Sequence, residues 1–262
     1  MVHRGTAPAG RAVSAAPPRA VAGVSPTSSA GDEQGSRPRR RALALLCAVV
    51  LVGLVGVVTV ERATGTKPAR CDQYAADSLA RAEALTGSGA DVLVVGDSWT
   101  AGLGLDDPAR SWPSRLPGRV HVAGFSGSGF GSGASGCGPR VSFGARAAAA
   151  VRSVPPGTPV VVAGGLNDWD STDAEIVAGL DRVLAATAGH PVTVVGPAAA
   201  PARAAYVARV EGLLERLCAE RDVRFLAVSD LRLDYLPDLL HLTPAGHATF
   251  GDAVAARLST GS

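Results

Sequence analysis

The greater part of this 262-residue chain predicts an α/β domain built on a parallel sheet. Three observations carry that expectation. Short apolar, β-branched runs alternate with longer stretches of helical period, the pattern of strands covered on both faces by helices. The runs recur at Asp91–Gly96, Val120–Ala123, Pro159–Ala163, Val192–Val195 and Val223–Leu226, which makes a sheet of five strands. Several of them break off into polar or glycine-rich turns, and right-handed crossovers bring all those turns to one edge of the sheet. That edge is where open α/β sheets bind ligands.

The first run, Val92-Leu93-Val94-Val95, stops at Gly96-Asp97-Ser98, so a hydroxyl stands just past a buried strand. Ahead of it, residues 72–85 form an amphipathic helix that ends at Thr86-Gly87-Ser88-Gly89. Helical periods follow at about 144–153, 172–188 and 202–221, and a last one at about 244–258. The third of these has an apolar stripe in Val207, Val210, Leu213, Leu214 and Leu217. Thr243-Pro244 opens the final helix, with threonine as cap and proline at the first helical position.

The N-terminal segment is different. Residues 1–38 are rich in Ala, Pro, Gly, Ser and Arg without an apolar period, and are expected to be disordered. Residues 39–62 hold Arg39-Arg40-Arg41, nineteen uncharged residues from Ala42 to Val60, and then Glu61-Arg62. That length suits a membrane-spanning signal-anchor with its arginines on the cytoplasmic side, so the domain that follows is expected outside the cytoplasm. A cleaved signal peptide is the competing reading and would leave a secreted protein. The anchor is favoured because no clear A-x-A site follows the apolar run. Residues 63–70 then read as a juxtamembrane linker, and 71–262 as the folded domain.

Charge follows the same division. Residues 1–41 carry seven arginines against Asp32 and Glu33, a net +5, so in a chain of net +2 the remainder carries −3. A mildly acidic domain argues against nucleic acid as a partner. Cys47 lies in the apolar span. Cys71, Cys137 and Cys218 would face an oxidising compartment, where one bridge and one leftover thiol are expected and spacing does not choose among the three pairings.

The turns at the sheet edge carry the chemistry. Ser98 is a candidate nucleophile. Asp238 and His241 stand three apart before the last helix, where a carboxylate can hold Nδ1–H and leave Nε2 to take a proton from a serine. Gly127, in Phe125-Ser126-Gly127-Ser128-Gly129, can offer an unhindered backbone N–H, and Asn167 a side-chain amide, to a developing oxyanion. His247 is assigned to the helix; D-x₂-H-x₅-H through Asp238, His241 and His247 is not a common metal spacing. Phe125, Phe130, Trp99, Trp112 and Trp169 are candidates for pocket lining as well as for the core. Gly131 to Gly136 satisfies G-x-G-x-x-G, but it lies several residues past its strand and lacks a following helix start, which disfavours a dinucleotide site.

Together these residues resemble the SGNH, or GDSL-like, esterase and lipase superfamily. The blocks are Gly96-Asp97-Ser98-Trp99, with Trp in place of the family's Leu; Gly127, with Gly129 as fallback; Gly165-Leu166-Asn167-Asp168; and Asp238-Leu239-Leu240-His241. The resemblance spans about residues 91–258 in the family's order. It implies a three-layer α/β/α flavodoxin-like fold and cleavage of carboxylic esters without metal or organic cofactor. Ser98 would be the nucleophile, His241 the base and Asp238 its orienter. The oxyanion hole would come from Ser98 N–H, Gly127 N–H and Asn167. An O-acyltransferase using the same triad, or a non-catalytic envelope-binding module, are the alternatives; acyl chain length and oligomeric state are left open.

Overall fold

The computed structural model describes residues 67–260. The disordered arm and the membrane span expected at residues 42–60 lie outside the described residues. Among the described residues no helix is long and apolar enough to cross a membrane.

The chain runs α1 (Lys67–Glu83), β1 (Asp91–Gly96), α2 (Ser98–Ala101), β2 (Arg119–Gly124), α3 (Phe143–Val151), β3 (Val160–Ala163), α4 (Asp173–Ala186), β4 (Val192–Val195), α5 (Ala204–Glu220), β5 (Arg224–Leu226) and α6 (Pro244–Ser259). All five strands pair in parallel, in the order β2-β1-β3-β4-β5. This is the flavodoxin-like order, in which β1 is the strand where connections diverge to either side. Ser98 follows that strand directly.

The two cores reflect the pleat. Val94 faces one side of the sheet with Trp99, Trp112, Phe250 and Val254. Its neighbours Leu93 and Val95 face the other side with Phe143 of α3, Ile176 and Leu180 of α4, and Leu213 and Leu214 of α5. Alternation by two along a strand that is apolar throughout is what a sheet covered on both faces requires. The stripe read on α5 is buried as expected.

Two details differ from expectation. α1 opens at Lys67, inside the stretch 63–70 read as linker and ahead of the helix start at residue 72. Pro68 sits in its first turn, where a missing N–H costs no hydrogen bond, and Cys71 is cross-linked to Cys137. The aromatic residues also divide. Trp99, Trp112, Phe125 and Phe130 are buried in the core, and Trp169 alone of the five lines the cleft described below.

Candidate active site

The turn after β1 is a compact device. Asp97 caps α2, its carboxylate accepting from Trp99 N–H at 3.0 Å, and Ser98 is the first residue of that short helix. Ser98 is only 6% exposed, and what remains open faces a cleft of about 390 Å³. Burial pushes the Asp97 carboxyl up to about 6, opposed by the Trp99 N–H and the charges of His241 and Arg146.

The second arm comes from the loop between β5 and α6. A Tyr235–Leu242 bridge and the Leu236 N–H to His241 carbonyl bond of 2.7 Å close this loop on itself. Thr243 caps α6, accepting from Gly246 N–H, with Pro244 at the first position, as the sequence predicts. Asp238 Oδ1 accepts from the backbone N–H of both Leu240 (3.0 Å) and His241 (2.9 Å). Its other oxygen accepts from His241 Nδ1–H at 2.6 Å. Partial burial pushes Asp238 upward, but the bonds from the His241 ring and the two backbone N–H groups outweigh it, and the carboxyl lies below its ordinary value. With Nδ1–H engaged, His241 Nε2 is left as an acceptor, 3.2 Å from Ser98 Oγ. Residues 143 positions apart thus meet in one hydrogen-bonded line.

The third arm faces them. Gly127 has φ +80°, a left-handed backbone that disfavours side chains, and lines the cleft beside Ser126. Gly129, the fallback, does not line the cleft and is packed against Asp168, whose carboxylate a Cβ there would meet at 2.5 Å. Asn167 also lines the cleft; one amide hydrogen goes to the Ser128 carbonyl at 2.9 Å, which leaves the other for the cleft. The backbone N–H groups of Ser98 and Gly127 make no hydrogen bond within the described residues. All five expected residues are therefore gathered at one rim.

The sequence reading named Asp168 and Trp99 without their part in holding this rim, and passed over Arg146. Asp168, fully buried, accepts from Phe130 N–H (3.0 Å), Gly131 N–H (2.7 Å) and Ser171 Oγ, zipping the β3 loop onto the β2 loop. Burial pushes it up to about 6, against those two N–H groups. Trp99 donates its indole N–H to the Leu240 carbonyl at 3.0 Å, tying the serine turn to the residue before His241. Arg146 of α3 joins the ends of β1 and β2 to the loop after β2. It donates to the Gly96 carbonyl (2.8 Å), Ser128 Oγ (3.0 Å), the Val141 carbonyl (2.9 Å) and the Ala123 carbonyl. Burial pulls its guanidinium down to about 10, with Asp97 opposing. In the sequence Arg146 is one basic residue in an alanine-rich helix, and nothing marks it.

A family model for GDSL-like lipases and acylhydrolases matches residues 94–249. The chain belongs to the GDSL-like lipase/acylhydrolase family. This family member is a carboxylic ester hydrolase, in agreement with the resemblance read from its four blocks. Its fold is similar to that of Est24, a carbohydrate acetylesterase from Sinorhizobium meliloti (TM-score 0.54, 20% identity, covering 66% of this chain and 99% of that one). It is also similar to the native aryl esterase of M. smegmatis (TM-score 0.53, 17% identity, 66% and 99%). No curated protein sequence matches the chain significantly.

The remaining histidines of the described domain stand outside this site. His247 is fully buried and its Nδ1 accepts from Trp112 N–H at 3.2 Å, which gives it a packing role in α6. His121 pairs with Asp91 and His190 with the Thr158 carbonyl.

Proposed function

We propose that this GDSL-like hydrolase is a membrane-tethered, extracytoplasmic serine esterase that works through an acyl-enzyme on Ser98. One observation carries the chemistry: the unbroken line from Asp238 Oδ2 through His241 to Ser98 Oγ, at 2.6 and 3.2 Å. Ser98 Oγ attacks the carbonyl carbon while its proton passes to His241 Nε2, and Asp238 stays ionised against the imidazolium. The carbonyl oxygen, now negative, is received by Ser98 N–H, Gly127 N–H and the Asn167 amide. Collapse expels the alcohol, which takes the proton from His241. Water then attacks the acyl-serine, its proton going to His241, and the second collapse returns that proton to Ser98 and frees the acid. The modest, serine-rich cleft, with Ser126 and Ser135 in its walls, suits a short acyl group.

The location rests on two supports. One is Arg39-Arg40-Arg41 ahead of the apolar residues 42–60. The other is the Cys71–Cys137 bridge, a bond that persists in oxidising compartments. Ser98→Ala and His241→Ala are each expected to abolish turnover of a short acyl ester while circular dichroism stays native. Wild-type turnover by folded Ser98→Ala refutes the mechanism. Protease added to intact cells is expected to cut beyond residue 63 and spare the first 40; the reverse pattern refutes the topology.

A further inference from the structure

We propose that the cleft selects esters that carry a negative charge, a carboxylate or a phosphate, close to the scissile bond. The proposal rests on the esterase reading above and adds the substrate class. Apart from His241, the titratable side chains that carry charge in the cleft lining are Lys67, Arg70 and Arg203, and among the described residues no carboxylate lines it, Asp238 standing behind the His241 ring. This runs against the sign of the domain, since the residues beyond 41 carry net −3. A positive concavity on an acidic body focuses field lines on its own mouth and draws anions there.

The three cations are placed rather than scattered. Lys67 and Arg70 stand within one turn of Cys71 on α1, and the Cys71–Cys137 bridge fastens that turn to the loop that follows β2. Arg203 comes from the opposite direction, after β4, with its guanidinium 4.8 Å from the centre of the Trp169 ring. The strand order puts β1, and Ser98 behind it, between these two flanks. None of the three pairs with a carboxylate among the described residues, whereas Arg115, Arg119, Arg209, Arg221 and Arg257 each do. A guanidinium fork matches the paired oxygens of carboxylate and phosphate, and the lysine adds a point charge.

The test uses the purified full-length protein and matched ester pairs. For charge on the alcohol side, 4-acetoxybenzoate and 4-acetoxyphenyl phosphate are compared with methyl 4-acetoxybenzoate. For charge on the acyl side, 4-nitrophenyl succinate is compared with its methyl ester. The readout is the anionic-to-neutral ratio of kcat/KM in wild type divided by the same ratio in Lys67→Gln/Arg70→Gln and in Arg203→Gln, which cancels leaving-group reactivity. That quotient is expected to reach about tenfold for at least one pair and to shrink in about 0.5 M salt, while Arg70→Lys is expected to keep the anionic-to-neutral ratio of wild type. Quotients within about twofold of unity for every pair, with the esters still hydrolysed, overturn the charge proposal and leave the esterase standing. No hydrolysis of any ester, with Ser98 inert to a phosphonate, overturns the esterase reading and this proposal with it.

Discussion

Arg146→Met is the perturbation that asks most of this structure. Methionine keeps the apolar stem of Arg146 beside Phe125 and Phe143 and removes four donor contacts, to Gly96, Ala123, Ser128 and Val141. Hydrogen bonds from a charged donor contribute about 1.5 kcal/mol each at the low end, so roughly 6 kcal/mol is lost. Against this stands the relief of no longer enclosing a charge. Burial draws the Arg146 guanidinium down to about 10, which corresponds to roughly 3 kcal/mol. The hydrogen bonds win, and the net destabilisation is about 3 kcal/mol. The Gly96 carbonyl also accepts from Phe125 N–H at 3.1 Å, so β1 keeps its end. What loosens is the loop that carries Gly127 and Ser128, and a shift of about 1 Å in an oxyanion donor lowers kcat by about tenfold to hundredfold. Urea unfolding and initial rates on a short acyl ester measure the two effects on one preparation. A folded variant with kcat within about twofold of wild type would refute the idea that Arg146 sets the geometry of the rim.

Asn167→Ala removes the proposed oxyanion donor together with its bond to the Ser128 carbonyl, and kcat is expected to fall by about 10²–10³-fold; a fall under about threefold, from initial rates on the same ester, takes Asn167 out of that role. His247 is held down to about 4 by burial. It stays neutral in the fold while the unfolded chain takes up a proton below roughly pH 6.5, so its contribution is complete above that pH and is lost as pH falls toward 4. His247→Asn offers Trp112 N–H an oxygen without this titration. The stability difference between wild type and variant is expected to move by about 2 kcal/mol in the variant's favour between pH 7 and pH 5, read from urea curves, and a constant difference contradicts it. Cys71→Ser opens a loop of sequence separation 66 and is expected to cost about 4 kcal/mol by chain entropy, with unfolding midpoints equal to wild type as the contrary result.

What could be read from the chain alone follows a physical division. The strands were legible because Val92–Val95 and Val160–Ala163 are continuous apolar runs, mostly valine, cut off by glycine, a signal contained within a few residues. Asp238 and His241 were legible for the same reason, since the orienting bond spans three positions. Contacts between distant segments leave no such trace. The indole of Trp99 meets the Leu240 carbonyl across 141 positions, and the Asp168 carboxylate meets two backbone N–H groups on another loop. Backbone partners have no side chain to betray them. Three cysteines allowed three pairings until folding brought α1 against the loop after β2 and joined Cys71 to Cys137, leaving Cys218 buried as a thiol. Which of Gly127 and Gly129 faces the cleft also needed space to show it, because only the first lines it.

The central claim is that Ser98, activated by His241, carries the acyl group. Intact-mass spectrometry after exposure to a fluorophosphonate, followed by peptide mapping, tests it directly. The account predicts a single adduct on Ser98, formed in step with loss of ester turnover and strongly slowed in His241→Ala. Complete inactivation with the adduct on another residue, or undiminished turnover with Ser98 fully modified, would contradict it.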